Sequence, residues 1–144
     1  MGAVRLSVIE ELEAALEVPR QRLMSCELVQ RFLTGNITQQ HYILFLWETW
    51  HFVRFTPEHL RIAAARMPEG ALRERFLSHA RGEEGHDRWA LQDLTALGVD
   101  VAMVTGSQPL PATARLIAYE RCTAEVMEPM ALLGLEYGLS LIHI

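Results

Sequence analysis

The chain has 144 residues, half of them hydrophobic and 22% charged, which is the composition of one globular domain. A formal net charge of −5 with scattered arginines provides no basic surface, so nucleic acid is not an expected partner. The sequence contains neither a run of about eighteen apolar residues nor a signal peptide, so we expect no membrane association. Cys26 and Cys122 lie far apart in apolar, helical stretches and are predicted to be buried free thiols, which fits the cytoplasm.

The first third of the chain has the apolar spacing of three helices. Leucine and isoleucine at three- and four-residue steps predict a helix over 5–17 that stops at Pro19, and a second helix over 20–33. The TGN turn closes the second helix, and Thr38 caps the next one. Because 38–54 is apolar nearly all round, we expect this third helix to be buried at the centre of a bundle.

Helical patterns continue through the rest of the chain. A threonine, proline and glutamate at 56–58 are typical of a helix start and predict a helix over 57–67. One long pattern then covers 71–97, although Gly82 and Gly85 each cost about 1 kcal/mol relative to alanine within a helix. A polar loop precedes a last helix over 112–137. With no strand alternation or repeat, we predict an all-α bundle of about six helices.

The end of the chain departs from this pattern. Pro129 is expected to kink the last helix. The tail LSLIHI, residues 139–144, back-translates to CTG TCT CTT ATA CAC ATC, which matches a transposase adapter used in sequencing libraries. We therefore interpret 1–138 as one incomplete helical-bundle domain and 139–144 as an adapter-derived tail.

Candidate metal ligands are concentrated in residues 79–87. Residues three, four and seven apart share one face of a helix, so His79, Glu83 and His86 form a line of side chains flanked by Glu84 and Asp87. A carboxylate and a neutral imidazole suit iron or manganese, and di-iron helical bundles use such Glu-x-x-His pairs. The alternative interpretation is a solvated acidic helix face that happens to contain histidines.

A second Glu-x-x-His pair, Glu48 and His51, lies in the most apolar helix. A buried carboxylate requires a metal, an arginine or a hydrogen-bond donor as partner. In the alternative interpretation, the aromatic side chains pack together while the two polar side chains satisfy each other or Arg54.

The last helix adds lone carboxylates that could bridge metal ions, of which Glu128 and Glu136 are preferred over Glu120 and Glu125. The remaining histidines, His41 and His59, are interpreted as ordinary surface or core residues.

The run HARGEEGHDRWALQDLTALGVD, 79–100, resembles the signature of heme-oxygenase-like iron-containing redox proteins. This superfamily also includes thiaminase-II-like and pyrroloquinoline-quinone-synthase-like proteins, and residues 47–68 resemble its second-helix region. The resemblance implies a heme-oxygenase-like helical bundle in which a non-heme di-iron centre activates O₂ to oxidise a small organic substrate. It assigns Glu83 and His86 as ligands. The preceding core helix contributes Glu48 or His51.

The family's last core helix carries a His-x-x-x-Asp-x-x-His motif that this sequence lacks. We therefore expect a fragment without its last core helix, in which the iron site is incomplete. The expected cofactor is iron, with two ions in the full-length protein. The expected partners are O₂ and a small organic substrate. A homodimer is possible. The aromatic side chains of Trp47, Trp50 and Phe55 are predicted to wall the substrate space, with His79, Glu84 and Asp87 near the metal.

Three alternatives remain. A metal-free enzyme of cofactor metabolism would use the same acids and histidines as general acid and base groups. A non-enzymatic helical module would bind a partner through apolar surface. True heme oxygenase activity is less favoured, because the resembling enzymes take their proximal histidine from the first helix and no histidine precedes His41.

Overall fold

The computed structural model describes residues 7–134. All regular structure within this range is helical, so the predicted all-α class is confirmed. The chain divides into two compact units, one formed by residues up to Ile37 and from Leu133 onward, and the other by Thr38–Leu132. The predicted adapter-derived tail, 139–144, and the candidate ligand Glu136 lie outside the described residues.

The first unit contains α1, Val8–Met24, and α2, Glu27–Leu33. Ser7 caps α1, because its hydroxyl accepts the Glu10 backbone N–H at 3.3 Å while the Glu10 carboxylate accepts the Ser7 N–H at 2.7 Å. The predicted helix end at Pro19 is wrong, since this proline lies inside α1. Pro19 and Ala15 are both exposed, so water can bind the Ala15 carbonyl that loses its N–H partner.

The second unit contains the other six helices. They are α3, Gln39–Val53; α4, Thr56–Ala65; α5, Ala71–Glu83; α6, His86–Ala96; α7, Val101–Thr105; and α8, Pro111–Glu125. The helix predicted over 112–137 ends twelve residues earlier, at Glu125. Pro129 therefore lies in the turn that follows α8, before a further helical turn at 131–134, and does not kink a helix.

Helices α3 and α6 pack against each other and run antiparallel. Their shared core contains Leu46 and Trp50 of α3 with Ala90 and Leu94 of α6. The Gln39 side-chain amide donates to the Leu97 carbonyl at 3.3 Å, which joins the start of α3 to the end of α6. The last turn of α3 consequently lies alongside the first turn of α6.

Two predictions about burial are wrong. The third helix is not buried on all sides, because Leu44 and Phe45 are 51% and 43% exposed among the described residues. Its buried side contains Leu46, Trp50 and His51. Both cysteines are free thiols, as predicted, but both are exposed.

Helix α4 packs against α5 and α8, and its buried residues are His59, Leu60, Ala63 and Ala64. Ala63 and Ala64 are completely buried, which allows the helices to approach closely. No helix within 7–134 combines the length and the apolar character needed to cross a lipid bilayer.

Candidate functional site

A break in the chain separates the two halves of the predicted ligand helix. The helix expected over 71–97 is two helices, α5 ending at Glu83 and α6 beginning at His86. Between them Glu84 is extended, with φ −63° and ψ 120°, and Gly85 has φ +93°. Since a positive φ is strained for residues with a Cβ, the break requires glycine at position 85. Gly82 lies within α5, where a Cβ would meet no atom within 4 Å.

The break brings three candidate side chains together. His79 Nε2 lies 3.2 Å from Glu83 Oε1, and His86 Nδ1 lies 2.7 Å from Glu83 Oε2. The carboxylate of Glu83 thus accepts hydrogen bonds from two imidazoles, one in its own helix and one across the break. The side chains of His79, Glu83 and His86 are 40%, 22% and 30% exposed, so the cluster is half-buried and accessible from solvent.

The neighbours of this cluster differ in their contacts. Glu84 forms an ion pair with Arg61 of α4, which connects the break to the neighbouring helix. The ring of His86 lies 4.4 Å from that of Trp89. Asp87 is half-buried at the start of α6.

The second pair faces the loop that follows α7. Glu48 Oε2 accepts the backbone N–H of Leu110 at 3.0 Å. His51 Nε2 lies 2.8 Å from the hydroxyl oxygen of Ser107, which also accepts the indole N–H of Trp47 at 2.7 Å. Among residues 7–134, Glu48 and His51 thus have hydrogen-bond partners in the loop after α7, in addition to their electrostatic interactions with each other and of His51 with Arg54.

His51 is completely buried. Burial lowers its pKa from the ordinary value, the nearby charge of Arg54 lowers it further, and Glu48 opposes both effects. The neutral imidazole, which is the form that binds metals, is therefore favoured. The Nδ1 of His51 and the Nε1 of Trp50 are buried without a hydrogen-bond partner among the described residues.

The predicted aromatic wall is divided between two environments. Trp50 belongs to the hydrophobic core between α3 and α6, and Trp47 packs against that core. Phe55 instead stacks on His59, with ring centroids 6.0 Å apart. The guanidinium of Arg54 lies 4.4 Å from the Trp50 ring and 4.6 Å from the Phe55 ring.

Sequence analysis missed a buried polar pair between α4 and α8. His59 Nδ1 lies 3.2 Å from Glu120 Oε2, and the two residues are only 3% and 4% exposed. The apolar spacing of Leu60, Ala63 and Ala64 indicates that this side of α4 is buried, but it does not identify a partner 61 positions away. Glu120 differs from the other described carboxylates of this region, Glu125 and Glu128, which are exposed.

The donor chemistry of the predicted ligands is suitable for iron, although their arrangement is not that of a metal site. No group of three or more His, Cys, Asp or Glu side chains within 7–134 is placed so that it could hold a metal ion. Both oxygens of Glu83 face its two histidines, and Glu48 is bonded to Leu110. An ion at Glu83 would have to replace its hydrogen bonds to the imidazoles.

Comparison with known proteins identifies the fold. The structure is similar to the crystal structure of a domain of unknown function with a heme oxygenase-like fold from Shewanella denitrificans OS217, with a TM-score of 0.76 and 22% sequence identity. The match covers 96% of this chain and 66% of that one. The predicted heme-oxygenase-like fold is thus confirmed. No protein-family model matches the chain, and no curated protein does.

Proposed function

We propose that this chain carries an iron-binding site of an oxidoreductase that uses O₂ to oxidise a small organic substrate, with Glu83 and His86 as ligands. The main support is the position of the Glu83 carboxylate between the imidazoles of His79 and His86. Carboxylate and imidazole together are the donor types that non-heme iron sites use. Iron, when bound, would supply the oxygen chemistry.

Helix α3 would contribute the facing ligands. Because α3 and α6 are antiparallel, the turn containing Glu48 and His51 lies alongside the first turns of α6, which begins at His86. The lowered pKa of His51, caused first by burial, favours the neutral form required of a ligand. Glu48 would have to exchange the Leu110 N–H for the ion.

The other side chains of the chain would hold the ligands in place and limit access of water. His79 would donate a hydrogen bond to Glu83, and the ion pair between Arg61 and Glu84 would anchor the α5–α6 break to α4. Partners of this kind orient metal ligands and raise the affinity of the site. The aromatic side chains around the 48–51 turn would exclude water from one side of the ion.

Anaerobic titration of the 144-residue chain with Fe²⁺ tests this proposal. Removing a side chain that only supports a metal ligand typically weakens metal binding about 10- to 100-fold. Because Glu83→Ala and His86→Ala each remove a ligand itself, we expect them to weaken Fe²⁺ binding by at least that factor. Asp93→Ala is a matched control, because Asp93 is an exposed acid of the same helix α6 and should leave the affinity unchanged. Wild-type chain that binds no Fe²⁺, or equal affinity of all four proteins, would contradict the proposal.

A metal-free enzyme of cofactor metabolism is the second candidate. The hydrogen bond of 2.7 Å between Glu83 and His86 favours it, because a carboxylate that orients an imidazole is a common arrangement for proton transfer. Under this alternative, Fe²⁺ would not raise the unfolding temperature, and chelators would leave the protein's stability and ligand binding unchanged.

A further inference from the structure

We infer that Trp89 is a substrate-binding residue of the candidate site, and that the molecule bound there is an aromatic ring carrying an amine. The place of this molecule as the substrate of an oxidation rests on the proposed function. Its binding is argued from the side chains around His86 and requires no metal.

Trp89 contacts the candidate site through His86. The centroids of the two rings are 4.4 Å apart, with an angle of 32° between the ring planes, and Nδ1 of the same imidazole lies 2.7 Å from Glu83 Oε2. One imidazole ring thus separates the indole from the carboxylate. A small molecule stacked on the indole would therefore lie within reach of Glu83.

The indole ring of Trp89 is open to solvent. Trp89 is 62% exposed, whereas Trp50 lies in the core between α3 and α6 and Trp47 packs against it. Single apolar side chains are common on protein surfaces, so exposure alone would not identify a site. The position of this ring beside His86 distinguishes it, because an exposed indole next to hydrogen-bonding groups can stack against the flat ring of a ligand.

The charges around Trp89 favour an amine over an acid. The face of an indole ring attracts cations. The Glu83 side chain is 22% exposed, and Asp87 adds a second negative charge in the first turn of α6. A carboxylate has about four acceptor positions, so Glu83 can accept a hydrogen bond from an ammonium group in addition to those from its two histidines. Arg88, the next cation along α6, lies against Gly85.

Titration of the metal-free chain with benzylamine, followed by NMR of the indole N–H signals, tests this site. The signal of Trp89 is assigned by its loss in Trp89→Phe, and we expect benzylamine to shift it. Cyclohexylmethylamine has the same charge without an aromatic ring and should bind about 2- to 10-fold more weakly. Benzoate, which has the ring with the opposite charge, should bind more weakly than benzylamine. An unshifted Trp89 signal, equal affinity for the two amines, or tighter binding of benzoate would overturn the inference.

Variants at Trp89 test the role of the indole ring itself. Because Trp89 is exposed, its substitution should leave the fold intact, which circular dichroism verifies. By calorimetry, Trp89→Leu should bind benzylamine about 2- to 10-fold more weakly than the wild type, and Trp89→Phe should restore most of the affinity. Tyr119→Leu is the matched control, because it removes another exposed aromatic ring, in α8, and should keep the wild-type affinity. Unchanged affinity in Trp89→Leu would overturn the role of Trp89.

The benzylamine and Fe²⁺ titrations can fail separately. Iron binding that depends on Glu83 and His86, without binding of benzylamine, would overturn the role of Trp89 and leave the proposed function intact. Benzylamine binding at Trp89 without any iron binding would overturn the proposed function, and the aromatic amine would then be the ligand of the metal-free candidate.

Discussion

The pair of His59 and Glu120 connects α4 to α8 through a polar contact inside an apolar interior. Their side chains are only 4% and 5% exposed, so each depends on the other for a hydrogen bond. Removing one member of a buried pair leaves the other desolvated and unpaired, whereas removing both can be nearly neutral. The pair therefore couples the two helices even though its net contribution to stability can be small.

A double-mutant cycle measures this coupling. We expect Glu120→Leu or His59→Leu alone to lower the free energy of unfolding by about 3–5 kcal/mol, and the double substitution to recover much of that loss. Urea denaturation followed by circular dichroism gives the three values. The exposed pair of Arg121 and Glu125 is the control, since Glu125→Ala should leave the denaturation midpoint unchanged. Additive effects of the two leucine substitutions would show that His59 and Glu120 do not interact.

His51 should make stability depend on pH. Its pKa is lowered in the folded chain by burial and by Arg54, so the unfolded chain takes up this proton at a higher pH than the folded chain does. The stability that neutral His51 contributes is fully present above the ordinary histidine pKa of about 6.5. This stability is lost as the pH falls through the lowered pKa that His51 has in the folded chain.

The His51→Gln variant removes this titration while keeping a side chain that can form a hydrogen bond with Ser107. Between about pH 7 and pH 5, the variant should lose less stability than the wild type, although it starts from a lower value. Because the two proteins differ only at position 51, the comparison isolates the effect of His51. Parallel pH profiles would contradict the lowered pKa of His51.

At the scale of helices, the two glycines near the end of α5 have different roles. Gly85 has φ +93°, and a Cβ there would lie 2.8 Å from the Arg88 side chain. Gly82 has helical geometry and open space around it. Gly85→Ala should therefore destabilise the chain by about 1–2 kcal/mol, and Gly82→Ala should stabilise it by up to about 1 kcal/mol.

Thermal unfolding of the two variants beside the wild type measures these opposite shifts. Gly85→Ala should also change the NMR signals of the His86 ring, because residue 85 sets where α6 begins relative to Glu83. Equal unfolding temperatures of the two alanine variants would show that the break between α5 and α6 does not depend on the positive φ.

Local signals predicted those helix boundaries that depend on neighbouring residues. Thr38 caps α3 by accepting the His41 backbone N–H at 3.2 Å, as the sequence indicates. The helix predicted over 57–67 is α4, but it begins at Thr56 and ends at Ala65, and Thr56 does not cap it because the N-cap residue is Phe55. The break after α5 was not predictable, because Gly82 and Gly85 look alike in a helical pattern and only the packing of the two helices requires a positive φ at one of them.

The site was predicted only as far as short-range spacing permits. His79, Glu83 and His86 lie within eight positions of one another, and the sequence places them together correctly even though it misses the break. The contacts of His51 with Ser107 and of His59 with Glu120 join residues 56 and 61 positions apart. Such pairings depend on how the helices pack, and a single sequence contains no direct signal for them.

At the scale of the whole molecule, the similarity in shape identifies an architecture and not a reaction. A TM-score of 0.76 at 22% identity shows that the heme oxygenase-like fold tolerates very different sequences. One fold can support many activities, so the activity must be argued from the side chains of the site. The titrations of Glu83 and His86 variants therefore carry more information about function than the fold does.

The two units should differ in hydrogen exchange. Neither α1 nor α2 contains a buried residue, whereas α3–α8 each bury at least one side chain in the second unit. Opening α1 or α2 therefore exposes little additional apolar surface, and helices of this length are only marginally stable without tertiary packing. We expect amide protons of 8–33 to exchange faster than those at the centres of α3, α4 and α6. Mass spectrometry of labelled peptides, corrected for intrinsic exchange rates, measures the difference. Equal protection in both units would mean that α1 and α2 bury their apolar side chains in solution.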